Sequence, residues 1–166
     1  SARDLGTYIA WADRDLRDAI NAGNAIGPRI QASGFYLTVP GGGGDLVIPG
    51  HPESEIPAQV RMGVGRGPDA FRQKAELAVA GGADLLKVIA SGAVLAFGGV
   101  PGEPEMTPEE IAAVVQVGHA HGLKVAAHAH GARSIKEAIL AGADTIEHAS
   151  LIDAEAIALA REHDVA

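Results

Sequence analysis

The sequence predicts an α/β fold with parallel strands, and three observations carry that reading. Amphipathic helical stretches run into a glycine, and a short β-branched apolar run follows within a few residues, three times in succession. The apolar runs are nearly continuous rather than alternating, which marks strands covered on both faces, as parallel strands are. Strand and helix alternate along most of the chain, and strands that run parallel need a helical crossover of this kind.

Taken in order, Ala2-Arg3-Asp4-Leu5 reads as the tail of a first strand, Trp11 to Ala22 as a helix and Pro28 to Ser33 as a second strand. The clearest repeats follow. A helix from Phe71 to Gly82 leads into the strand Ala83 to Ile89, one from Ile111 to Gly122 into Leu123 to His128, and one from Ser134 to Gly142 into Ala143 to His148. Each closing glycine stands at the C′ position, where helices end in a left-handed residue. Thr107-Pro108-Glu109-Glu110 is the sharpest start signal, with Thr as N-cap, Pro at the first helical position and Glu placed to close a capping box. Asp153 is the N-cap of a last helix reaching about His163.

Two stretches break the rhythm. From Phe35 to Gly67 the chain carries Pro40, Pro49, Pro52 and Pro57 and the run Gly41-Gly42-Gly43-Gly44-Asp45. So long a Gly/Pro-rich loop is expected to serve a site, as a flexible lid; no Lys-Ser/Thr and no helix start follow to make it a phosphate loop. Ser91 to Met106 separates the third strand from the capped helix.

The 166 residues, 47% of them apolar, make about one domain. A net charge of −8 argues against a nucleic-acid partner, whose binder would be basic. The absence of cysteine excludes disulfides, zinc–thiolate sites and a thiol nucleophile. No apolar run approaches the roughly 18 residues that span a bilayer, so no membrane partner is expected, and the compartment stays open.

About five strands are legible, whereas a closed eight-stranded barrel takes about 250 residues. The expectation is part of a (β/α)8 TIM barrel rather than an open doubly wound sheet. The chain opens without methionine and closes at Asp164-Val165-Ala166, where a further strand is due. A part barrel in isolation would expose two raw sheet edges and aggregate or oligomerise; the full-length protein is expected to be a homo-oligomer.

Three polar residues recur at equivalent places: Lys87 interrupts one apolar strand, and His128 and His148 close the next two, 41 and 20 residues on. In a barrel the C-terminal ends of these strands face one mouth, where imidazoles on neighbouring strands can share a metal. An ammonium is a poor ligand and is costly to bury. Lys87 is therefore a desolvated amine for Schiff-base chemistry, a carbamate formed with carbon dioxide that bridges two cations, or a lysine whose head reaches the strand end. The two histidines favour the carbamate.

The strings Lys87 through Ala90-Ser91-Gly92, Ala126-Ala127-His128-Ala129-His130-Gly131 and Ile146-Glu147-His148 resemble the metal-dependent amidohydrolase superfamily. The resemblance is to its imidazolonepropionase-like branch, which includes Xaa-Pro dipeptidases and ochratoxin-hydrolysing amidohydrolases. Arg3-Asp4-Leu5-Gly6, Gly27-Pro28-Arg29 and the Gly-rich loop ending at Asp45 extend it over the whole chain. The resemblance implies that residues 1–166 are part of a catalytic barrel with two divalent metal ions, usually zinc. It implies Lys87 as the carboxylated bridging lysine, His128 and His148 as metal ligands, and His130 as a substrate-binding residue. Ser91, in the turn after the lysine strand, is either a turn former or a second substrate contact.

The implied reaction is hydrolysis of a peptide-like or related amide, in a small-molecule or dipeptide-like substrate, by a metal-bridged hydroxide. The family's first-strand His-x-His pair and its general-base Asp are expected outside this chain, so the 166 residues alone should be inactive. The loop at 41–44 has no histidine where many relatives carry one. Two other functions compete. One is a Schiff-base lyase of the aldolase type using Lys87; the other is a non-catalytic, truncated paralogue. His119 and His121, in the last turn of a helix, are expected to be structural. Asp4 and Glu147 either support a ligand or pair with arginines such as Arg3 or Arg29.

Overall fold

A computed structural model describes residues 1–97 and 99–166. Its strands are β1 (Ala2–Asp4), β2 (Ile30–Ala32), β3 (Leu85–Ile89), β4 (Lys124–Gly131) and β5 (Thr145–Leu151). Its helices are α1 (Ala12–Asn21), α2 (Pro68–Ala80), α3 (Pro108–Ala120), α4 (Ala132–Leu140) and α5 (Ala154–Glu162). All strand pairs are parallel, β1 with β2, β3 with β4, and β4 with β5.

The turns that set this alternation repeat one device. Gly82, Gly122 and Gly142 have φ of 87°, 70° and 95° and follow α2, α3 and α4. In each case the glycine N–H bonds back to the helix and the next residue closes a wider ring, as Gly142 to Ile139 at 2.9 Å and Ala143 to Ala138 at 3.0 Å. This is the Schellman motif, and only a residue without a Cβ takes the left-handed position freely. An aspartate then reaches the neighbouring strand: Asp84 accepts from the Ala32 N–H at 2.9 Å, and Asp144 from the Val125 N–H at 2.8 Å. His119 Nε2 lies 2.9 Å from Asp144, and His121 Nε2 lies 3.2 Å from Glu76, the structural use expected of both.

The capping box at α3 is complete, with Glu110 N–H on the Thr107 hydroxyl at 3.2 Å and Thr107 N–H on Glu110 at 2.9 Å. The other oxygen of Glu110 accepts from Gly67 N–H at 2.6 Å and ties the starts of α2 and α3 together. Asp153 caps α5 by accepting from Ala156 N–H at 2.7 Å.

The second strand differs from its expectation in an informative way. Past Ala32 the backbone bends at Gly34 and rejoins the sheet, with Leu37 N–H on the Lys87 carbonyl at 2.8 Å and Ile89 N–H on Leu37 at 2.9 Å. The segment 32–39 thus joins β2 to β3, and the five strands follow one another in chain order. Phe71, Ala75, Ile111, Val114, Ile135 and Ala138 pack against Leu86, Val88, Val125 and Ala127 on the outer face to form the core. On the inner face Arg3 of β1 meets Glu147 of β5 at 2.6 Å, so the sheet curves until its first and last strands face each other. Helices outside and a curved parallel sheet inside make this part of a (β/α)8 barrel, the class the sequence predicts.

The long loop is tied down more firmly than a free lid. The Asp45 carboxylate is buried and takes two bonds from Arg61, at 2.8 and 2.7 Å, and one from Gly41 N–H at 2.9 Å. Arg61 sits in the second of two 3-10 turns, Glu53–Glu55 and Ala58–Arg61, and also holds Glu53 at 2.8 Å.

Candidate active site

Strand alternation places the site. In β3, Leu86 and Val88 face the helices, so Lys87 and Ile89 face inward; in β4, Val125, Ala127 and Ala129 face the helices, so His128 and His130 face inward. The sequence places the end of this strand at His128, but β4 continues to Gly131 and α4 begins at the next residue. His130 therefore shares the inner face with His128, two residues away, instead of standing in a loop.

His148 reaches the same place by breaking the rule. It pairs in register with Ala129, an outward position, and simple alternation would turn its ring toward the helices. Instead His148 and Ala149 have φ of 74° and 48°, and the register with β4 shifts between Ala129 and Gly131. Two consecutive non-glycine residues in the left-handed region cost about 1–2 kcal/mol each, a strain that characteristically marks functional sites. Its effect is to bring the His148 imidazole to the inner mouth, where its ring centroid is 4.6 Å from that of His128 and 4.9 Å from that of His130. Because Ala149 contributes strain, Ala149→Gly is expected to stabilise the full-length protein by about 0.5–1 kcal/mol in chemical denaturation. A loss of stability would show that this backbone is relaxed.

One nitrogen from each of His128, His130 and His148 lies within 4.8 Å of the others, a spacing that can hold a metal ion. Lys87 lies beneath them, 4% exposed, and neither its Nζ nor His128 Nε2 has a hydrogen-bond partner among the described residues. Buried polar atoms left without partners are rare and call for one. Burial lowers the Lys87 amine from its ordinary 10.5 to about 7; Glu147 opposes that fall and Arg3 adds to it. His128 is lowered to about 3, first by burial and then by Lys87 and the other two histidines. His148 is lowered first by burial and then by Lys87 and His130, with Glu147 opposing. At neutral pH His128 and His148 are thus uncharged, with lone pairs free, as metal ligation requires. The donor set fits divalent cations.

A cavity of about 510 Å³ opens above the histidines. Its other walls are Tyr8, Tyr36, Ile89, Ala93, Val94 and Leu95, with the backbone of Gly43 and Gly44. Gly43 and Gly44 are packing requirements: a Cβ on Gly43 would stand 2.7 Å from the Ala93 nitrogen, and one on Gly44 2.9 Å from Ile89. Glu105 draws the same two loops together by accepting from Gly43 N–H at 2.7 Å. Burial pushes the Tyr36 phenol upward, so it stays a neutral donor; Tyr8 and Asp45 act in the same direction.

Of the residues singled out in the sequence, Lys87, His128, His130 and His148 come together. Ser91 does not line the cavity: it is fully buried and accepts from the His130 backbone N–H at 3.0 Å, pinning the end of β4. His130 Nδ1 is held 2.9 Å from the Ser150 hydroxyl. Sequence reasoning missed Tyr8 and Tyr36, although they are the only two tyrosines in the chain.

Comparison with known proteins fits this arrangement. The chain is 31% identical to an ochratoxinase from Aspergillus niger over 99% of its own length and 36% of the relative's. It superposes on a Xaa-Pro dipeptidase with bound methionine in the active site with a TM-score of 0.90 and 36% identity, covering 98% of this chain and 40% of that one. A prolidase complexed with N-methylphosphonate-L-proline matches with a TM-score of 0.89 and 32% identity, over 99% of this chain and 40% of that one. The chain thus spans well under half of each relative. A pattern described as the amidohydrolase family matches residues 1–166 without remainder. By whole-chain match, by relatives and by the inward row of histidines over a buried lysine, this chain belongs to the amidohydrolase family.

Proposed function

We propose that these residues are part of a metal-dependent hydrolase acting on a peptide-like or related amide bond. The observation that carries the proposal is that Lys87 Nζ and His128 Nε2 are buried without a hydrogen-bond partner among the described residues, beside a mouth shared with His148. Lys87, as a carbamate, would hold two divalent cations with His128 and His148. Such cations, zinc in the usual case, supply Lewis acidity for the amide carbonyl and activate water at neutral pH.

What this chain does itself is hold and exclude. The lowered Lys87 amine is available to react with carbon dioxide, whereas an ammonium is not. The lowered His128 and His148 favour the neutral imidazole, and one nitrogen of each lies within 4.8 Å of the other. Ile89, Val94 and Leu95, with the rings of Tyr8 and Tyr36, form an uncharged, mostly apolar wall that suits an apolar side group on the substrate. The methionine in the active site of the similar Xaa-Pro dipeptidase is a side group of that kind. We assign no general base within residues 1–166.

A second reading rests on His130, whose ring centroid lies 4.6 Å from that of His128 and 4.9 Å from that of His148: on it His130 is a ligand and not a substrate contact. Metal content of His130→Ala separates the two.

The test is made on the full-length protein, purified without chelator and supplied with bicarbonate. Near two divalent metals per chain are expected, with dipeptide-like amides bearing apolar side groups cleaved at least about tenfold faster in kcat/KM than charged ones, a difference of about 1.4 kcal/mol. Chelation should abolish turnover and zinc restore it. A well-folded protein without metal sinks the proposal, and borohydride trapping of a carbonyl substrate on Lys87 would replace it with Schiff-base chemistry.

A further inference from the structure

Arg3 and Glu147 stand 144 residues apart in sequence, on the first and last strands of the curved sheet, and meet across its interior. Arg3 Nη2 donates to Glu147 Oε1 at 2.6 Å, and its Nη1 lies 3.3 Å from the Thr145 hydroxyl. That hydroxyl donates in turn to Glu147 Oε1 at 2.7 Å. Glu147 is paired in register with His128 and so shares its inward face. The residue after it is His148, whose left-handed backbone returns its ring to the mouth.

A strained conformation of this kind persists only where its surroundings over-determine it. Within the sheet, β5 is held on one edge by β4, through a ladder whose register shifts just past His148, and on the other edge Ile146 N–H bonds the Ala166 carbonyl at 2.8 Å, two residues before the strained pair. On the inner side, the anchor immediately before the strained pair is the Glu147 carboxylate. The same bond holds β1, which has only three residues in register with β2. A carboxylate held by a guanidinium is also kept from the nearby Lys87 amine, whose Nζ has no partner among the described residues.

We propose that the Arg3–Glu147 pair, with Thr145, is a positioning brace across the barrel interior that sets the place of the His148 imidazole. Neither residue is a catalytic residue; both act through His148. The inference rests on the reading of His148 as a metal ligand, and its test is arranged to fail separately from that reading.

Glu147→Gln, Arg3→Met, the double variant and the conservative Arg3→Lys are made in the full-length protein. Zinc affinity is read by competition with a chelating dye, and deuterium uptake is followed across residues 143–153 in the metal-free protein. Each single variant is expected to lower zinc affinity by about 10–100-fold, the usual effect of losing a group that orients a ligand. Each should also speed exchange across this segment. The double variant should be no worse than either single one, because one interaction is lost in all three, and Arg3→Lys should fall between wild type and Arg3→Met. Uptake and affinity both within threefold of wild type overturn the brace, as does faster uptake with unchanged affinity. Should wild type bind no zinc, the hydrolase reading falls, and uptake alone decides whether the pair holds β5 in place.

Discussion

Lys87→Met in the full-length protein is expected to lower amide hydrolysis by about three orders of magnitude while making the metal-free protein more stable. The first effect follows from the proposed role of Lys87: loss of a bridging ligand would remove Lewis-acid stabilisation worth several kcal/mol, and each 1.36 kcal/mol is tenfold in rate. The second follows because the side chain replaced is a buried amine without a partner among the described residues, and apolar groups of similar volume are often better tolerated there. The two effects have opposite signs, which a residue of purely structural importance would not show.

The pH dependence sharpens this. In the unfolded chain the lysine keeps its proton up to about its ordinary 10.5, whereas in the folded metal-free protein it releases it at about 7. Between those values the unfolded state binds more protons, so stability rises with pH across the window, and below it the full cost of burial is present. Denaturation midpoints of wild type should therefore climb from pH 7 toward 10.5, and those of Lys87→Met should lack that component. Parallel pH profiles, or a variant that keeps wild-type turnover, would remove Lys87 from the site.

His128→Ala is expected to have a comparable effect on turnover, about 10³-fold, with bound metal falling below half of the wild-type content. Its stability signature lies on the acid side. The folded imidazole takes a proton only near pH 3, against an ordinary 6.5, so from 6.5 down to 3 the unfolded state binds a proton that the folded state does not. Stability of the metal-free wild type should fall as pH falls through that window, and His128→Ala should fall less steeply. Steeper acid loss in the variant would mean that His128 is held by a favourable interaction. Elemental analysis beside acid denaturation decides both points.

The candidate site was legible where chemistry sat on a strand of simple alternation. Lys87 stands out in the sequence because it interrupts an apolar strand, and the structure buries it on the inner face for the same reason. His128 is legible likewise, but the sequence pattern ends the strand there, whereas β4 runs on to Gly131 and α4 starts at the next residue. That moved His130 from a loop position into the histidine group. The sequence leaves Glu147 either supporting a ligand or pairing with an arginine, and only the curvature of the sheet brings Arg3 to it.

By itself the sequence determined what local chemistry controls: helices that close in left-handed glycines, the capping box at Thr107, and apolar strands covered on both faces. These are properties of neighbours along the chain, so periodicity and capping rules reach them. Family membership was also legible there, since it is carried by residue types in a set order. Tertiary structure alone decided what depends on closing distances between remote segments. The left-handed turn at His148 that brings its ring to the mouth is one such decision. The tyrosine wall and the Arg3–Glu147 contact are the others. No local pattern encodes them, because a strand's curvature and a tolerated strain are set by everything packed around it.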